Sequence, residues 1–138
     1  MRLVLDTNVV ASALLWYGPP RELLALARSE DILLFSSLPL LAELTGILSR
    51  PKFEKKIAAS LLSVDQIVDL YAELVALVRP IFVSRLAPDP DDDVVIGTAL
   101  AARADFVVTG DRALLSVTDY DGGRIISVRE ALRAVGSI

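Results

Sequence analysis

Two short apolar runs in this chain each lead to a carboxylate. Leu3-Val4-Leu5 is closed by Asp6, and Phe106-Val107-Val108 reaches Asp111 through Thr109-Gly110. Such runs read as buried strands, and here they alternate with stretches of helical pattern, which points to an α/β fold. An acid at the carboxyl end of a buried strand is a poor structural choice. If the two strands are neighbours, the acids converge and repel, and a cation offsets that repulsion. The chain is thus constrained to a sheet flanked by helices, with a hard-metal site suggested at one edge.

Two further acids extend the pattern. Glu43 lies early in a helical stretch whose apolar stripe is Leu40, Leu44, Ile47 and Leu48. It stands about 60° from Leu40 and about 40° from Ile47, so it borders the buried face. That suits an acid reaching into a cleft beside the sheet, and equally an ordinary boundary glutamate. Asp91, Asp92 and Asp93 precede an alanine-rich helix, whose start favours acids through its N–H groups and dipole. Asp93 is different, because with Ile96, Gly97 and Leu100 it follows the i, i+3, i+4, i+7 spacing of a packing face. Gly97 in mid-helix costs about 1 kcal/mol relative to alanine and predicts close approach of another backbone. Thr7 and Asn8 can simply cap a helix after Asp6, and Thr109-Gly110-Asp111 can be a plain turn. In a doubly wound sheet, however, this edge is where ligands bind, and the acids occur together.

Composition narrows the chemistry. The chain has neither cysteine nor histidine, which excludes disulfides, cysteine nucleophiles and every Ser-His-Asp triad. Oxygen ligands favour Mg²⁺ or Mn²⁺ over zinc, copper or iron–sulfur clusters. The 138 residues fit one domain, 1–138, and 54% hydrophobic content supports a substantial core. No apolar stretch approaches the roughly 18–20 residues of a membrane span. Asp6 arrives too early for a signal-peptide core, so a cytoplasmic protein is expected. The net charge of −4 argues against a polyanion partner only globally, because the acids that bind a divalent ion contribute to it. Locally, Arg50-Pro51-Lys52-Phe53-Glu54-Lys55-Lys56 holds every lysine of the chain. It reads as a solvated helix–helix connection or as a contact for phosphate.

Along the chain we expect a strand at 2–5, a helix at 8–15, and a helix with Pro20 in its first turn running to about Ser29. A strand at 31–35 follows, then a helix capped by Ser36-Ser37 and a short basic helix at 52–59. Ser63-Val64-Asp65-Gln66 is a capping box opening a helix to about Val78. Strands at 81–83, 105–108 and 124–126, helices at 92–103 and 111–116, and a turn at 119–123 complete the pattern. Ser127-Val128-Arg129-Glu130 is a second capping box, opening the last helix. Trp16 and Tyr17 read as core or edge packing, with a dimer contact or a base-stacking surface as alternatives.

The order Asp6-Thr7-Asn8-Val9, Glu43, Asp93 and Val108-Thr109-Gly110-Asp111 resembles the PIN-domain nucleases nearly end to end. Asp89-Pro90-Asp91-Asp92-Asp93 and the run 104–111 are similar in particular to the small stand-alone toxins of toxin–antitoxin pairs. The resemblance implies a Rossmann-like PIN fold with a central parallel sheet of four to five strands flanked by helices. It implies that Asp6, Glu43, Asp93 and Asp111 hold one or two Mg²⁺ or Mn²⁺ ions, supported by Thr7, Asn8 and Thr109. Relatives often carry another acid where this chain has Ala113, and Asp92 could take the role given to Asp93. The implied activity is endoribonuclease cleavage by a metal-activated water. Arg50, Lys52, Lys55, Lys56 and Arg112 are the candidates for RNA-backbone contact. A cognate antitoxin and a homodimer are the implied partners.

Other readings fit less well. A PIN fold that binds RNA or protein without cutting, or one that processes RNA, would share these motifs. A haloacid-dehalogenase-type phosphatase wants an acid where Asn8 stands. A receiver domain wants an acceptor aspartate where Ser36-Ser37 follows Phe35.

Overall fold

The computed structural model describes residues 1–81 and 90–136. They run β1 (Arg2–Leu5), α1 (Thr7–Leu15), α2 (Pro19–Arg28), β2 (Leu33–Ser36) and α3 (Leu38–Leu48). A 3-10 turn (Pro51–Phe53), α4 (Glu54–Ser60), α5 (Val64–Leu74) and β3 (Ala76–Leu77) follow. Then come α6 (Pro90–Ala102), β4 (Phe106–Val108), α7 (Arg112–Leu115), β5 (Asp119–Tyr120), β6 (Gly123–Ile126) and α8 (Val128–Ala134). The strands form one six-stranded sheet in the order β3-β2-β1-β4-β6-β5. Every pairing is parallel except β5 with β6.

Strand β1 is inside the sheet, paired on both sides, and its side chains alternate between two cores. Leu3 and Leu5 pack with α1, α2 and Leu44, Ile47 and Leu48 of α3, whereas Leu40 joins the other core. Val4 packs on the other face with Val95, Ile96 and Ala99 of α6. Leu34 and Phe35, Val107 and Val108, and Ile125 and Ile126 divide between the faces in the same way. Each fully buried aliphatic side chain contributes about 1.5–3 kcal/mol of transfer free energy, so the sheet register is strongly specified. Among the described residues, no helix is long and apolar enough to cross a membrane.

Several boundaries differ from the sequence expectation for identifiable reasons. The strand expected at 31–35 begins at Leu33, because Glu30 and Asp31 close α2: Glu30 is left-handed and the Asp31 N–H bonds Leu26 O at 2.9 Å. The helix expected to reach Val78 stops at Leu74. Val75 is extended, and Ala76 and Leu77 pair with Phe35 and Ser36 instead. Local helical preference has yielded there to a vacant sheet edge. The turn expected at 119–123 contains β5, which makes a hairpin with β6. Ser37 occupies the N-cap of α3 without a capping bond. Its hydroxyl instead meets the Thr98 hydroxyl of α6 at 2.9 Å, with both residues fully buried. Ile81 is not in a strand, and residues 82–83 of that expected strand lie outside the described residues. Both capping boxes form, at Ser63 and Ser127.

Gly97 is approached by a backbone. A Cβ there would collide with the Ile81 carbonyl oxygen, and the Ile81 N–H donates to Gly97 O at 3.0 Å. Alanine gains about 1 kcal/mol in helix propensity but must displace main chain, which typically costs about 1–3 kcal/mol. Gly97→Ala is therefore expected to lower the urea midpoint of unfolding. A raised midpoint would show that the Ile81 segment yields without cost.

Candidate functional site

The site is built where β1 and β4 end side by side. Leu5 is in register with Val108, and the Asp6 N–H still donates to Val108 O at 2.9 Å. Asp6 then caps α1, its Oδ1 accepting from the Thr7 N–H at 2.8 Å. The fully buried Thr109 follows β4, and its hydroxyl donates to Asp6 Oδ2 at 2.7 Å. The same hydroxyl accepts from the Asp111 N–H at 3.0 Å, so one threonine binds the two acid-bearing loops together. Asp111 caps α7 through the backbone N–H of Ala113, 2.9 Å from Oδ1.

The helices α3 and α6 bring the other two acids toward this edge. Glu43 is half-buried on α3, and its Oε1 accepts from the buried Thr7 hydroxyl at 2.7 Å. Asp93 is half-buried in the first turn of α6. That helix ends beside the start of β1, where Ala102 O accepts from the Arg2 guanidinium. Its first turn therefore lies toward the carboxyl edge. The side chain of Asp92, the alternative to Asp93, lies outside the described residues.

Asp6 and Asp111 line one cleft of about 390 Å³ with Asn8, Val9, Ser12, Pro20, Gly110 and Val128. Asp6 is only 5% exposed, whereas Asp111 is exposed. Burial pushes the Asp6 carboxyl above the usual aspartate range. The bonds from Thr109 and Thr7 oppose that shift, and the Asp111 charge adds to it. The donor set suits a hard divalent ion. Each Asp6 oxygen takes one hydrogen bond and keeps a lone pair, and the charge acting on it is a second carboxylate. Among the described residues no three acids stand close enough to form a ready-made ion cage. Mg²⁺ does not require one, because it keeps several waters and uses one or two carboxylates.

The basic candidates fall in two places. Arg50, Lys52, Lys55 and Lys56 are exposed on the 3-10 turn, α4 and the residue before them. Arg112 is exposed next to Asp111. Ser12 is not among the site residues expected from the sequence. Its signal was available, since Asn8 and Ser12 are the exposed i, i+4 pair on a helix otherwise almost wholly buried.

This geometry defines a largely parallel α/β protein with an acidic cleft at the carboxyl edge of its sheet. The chain belongs to the PIN-domain family, whose model matches residues 2–113. No curated protein matches it. Among solved structures it is similar to a chain of VapBC2 from Rickettsia felis, bound there to a DNA fragment from their promoter. That match has 16% identity and a TM-score of 0.61, covering 92% of this chain and 98% of the other. FitAcB from Neisseria gonorrhoeae is similar at 20% identity and a TM-score of 0.53, with the same coverage. These likenesses show a shared fold.

The raised Asp6 value sets a pH dependence. The folded state holds this proton more tightly than the unfolded chain does. The resulting stabilisation is present below the ordinary aspartate range and is lost as pH rises through the raised folded value. With divalent ions chelated, the thermal midpoint of the wild type should fall over that rise relative to Asp6→Asn. Parallel pH profiles for the two proteins would contradict this.

Proposed function

We propose that this chain is a single-domain, divalent-ion-dependent endoribonuclease and the toxin of a toxin–antitoxin pair, acting as a homodimer. One observation carries the reading. A buried carboxylate, Asp6, shares a cleft with Asp111 at the carboxyl edge of a PIN-family sheet, and the charge acting on Asp6 is that second carboxylate. Asp6 and Asp111 would hold Mg²⁺ or Mn²⁺, with Glu43 and Asp93 completing the acidic surround, and the bound ion would supply neutralisation of phosphate charge and a more acidic water.

The chain's own residues prepare that site. Thr109 fixes the Asp6 carboxylate and the Asp111 main chain with one hydroxyl, and Thr7 fixes Glu43. Their hydrogen bonds are made before substrate arrives, so little reorganisation is left for the reaction. Asn8 and Ser12 offer polar groups along the cleft wall. Arg112, beside Asp111, and the cluster Arg50, Lys52, Lys55 and Lys56 meet the RNA backbone. Without histidine, proton transfer falls to carboxylates and water.

An antitoxin has a suitable place to dock. A cavity of about 440 Å³ lies between α1, α2 and α5, lined by Leu14, Leu15, Leu24, Ile67, Leu70 and Tyr71 among others. The Tyr71 hydroxyl is buried without a hydrogen-bond partner among the described residues. Apolar side chains of a docking peptide would fill the cavity. The fold shared with VapBC2 and FitAcB supports this partner.

Cleavage of end-labelled single-stranded RNA should require Mg²⁺ or Mn²⁺ and stop with EDTA. Asp6→Asn and Asp111→Asn should each lower the rate by about 10²–10³-fold, the order lost with one preorganised electrostatic contact. Wild-type rates in both variants would remove the cleft from the reaction. Titration calorimetry with Mn²⁺ alone should show heat for the wild type and little for Asp6→Asn.

A further inference from the structure

The exposed aromatic and basic residues at the far end of α1 stand together, and the carboxylate cleft leads to them. Tyr17 is 91% exposed. One face of its ring is covered by the Arg21 guanidinium, 4.4 Å from the centroid. Arg21 is itself held in place, donating from Nε to Ala13 O at 3.1 Å and from Nη2 to Leu14 O at 3.0 Å. Those are carbonyls of the last turn of α1, which has no helical continuation to satisfy them. Tyr17 is thus a large apolar ring fixed from behind by a cation and open to solvent in front.

Trp16 extends the surface. It is 39% exposed, stacks edge-on against Phe53 at 5.6 Å between centroids, and has the Lys56 ammonium 5.3 Å from its ring. Lys52 lies 5.0 Å from the Phe53 ring. The packing of Phe53 on Trp16 thereby carries the chain's lysine-bearing segment to the end of α1. Asn8 and Ser12 are the exposed positions of α1, and Trp16, its extended C-cap, follows four residues on with its N–H bonded to Ser12 O. Eight residues of helix span about 12 Å, roughly three stacked nucleotide steps. The cleft containing Asp6 and Asp111 is lined along this same face by Asn8 and Ser12, and it reaches Pro20, just before Arg21.

We propose that Tyr17 and Trp16, backed by Arg21 and Lys56, form a base-stacking platform for single-stranded RNA whose scissile phosphate lies in the carboxylate cleft. This rests on the nuclease reading above and adds where the strand runs. Exposed aromatics set among cations are the combination that single strands require, since bases stack on rings while phosphates meet the charges. A paired strand keeps its bases stacked on one another and cannot use the platform. The acids nearby in sequence, Glu22 and Glu54, are exposed and leave the segment 50–56 net positive.

Trp16 is the chain's single tryptophan, so its emission reports this surface directly. With Ca²⁺ in place of Mg²⁺, a short oligouridylate should quench that emission. Tyr17→Ala should weaken oligouridylate binding by about tenfold, the order of one stacked base. Tyr17→Phe should bind as the wild type does, and duplex RNA should be insensitive to either change. Equal affinity of wild type and Tyr17→Ala for oligouridylate, with the wild type still cleaving RNA, would overturn the platform and leave the nuclease reading standing. Absence of both binding and cleavage in the wild type would end both. Loss of affinity in Tyr17→Ala for a protein partner alone would assign the surface to that partner instead.

Discussion

Burying one carboxylate at the end of a central strand governs the rest of this molecule. Asp6 cannot rotate into solvent, because α1 starts on it and Thr109 holds its second oxygen. Two hydrogen bonds oppose the loss of hydration and do not fully offset it, so the carboxyl stays above its ordinary range. A neighbouring acid makes the balance worse. A side chain that costs stability in the isolated fold is a natural candidate for one whose favourable partner arrives from outside.

The sheet order explains how distant acids share one edge. Because β4 is inserted beside β1, the loops carrying Asp6 and Asp111 become neighbours although about a hundred residues separate them. The two helices carrying Glu43 and Asp93 are tied to each other by the Ser37 and Thr98 hydroxyls in a fully buried contact. The Thr98 hydroxyl also donates to Val94 O at 2.8 Å, so Ser37 is the donor of the pair, and separating the helices would strand the Ser37 hydroxyl.

Much of this was legible from residues. The buried strands β1 and β4 announced themselves as apolar runs, and the capping boxes at Ser63 and Ser127 marked two helix starts. The mid-helix Gly97 foretold the backbone that packs on it. What could not be read was decided by tertiary pairing. Nothing local marks Ala76–Leu77 as a strand, since only the free side of β2 selects it. The hairpin strand Asp119–Tyr120 is too short to show a period. In the site, the family resemblance implied Thr7 and Thr109 as supporting groups, yet which carboxylate each hydroxyl serves depends on how α3 and β4 pack. The seat of Arg21 under Tyr17 was likewise invisible, because it depends on where α2 turns back along α1.

Among the described residues the two outermost strands, β3 and β5, are each two residues long. A margin so brief exposes almost no ladder of unsatisfied amides and carbonyls to a passing chain. Copies of this protein, or any companion, therefore gain little from zipping onto the sheet, and lasting association has to be made through helical faces. A molecule with a strongly apolar sequence is in this way kept from growing edge to edge into fibrous aggregates.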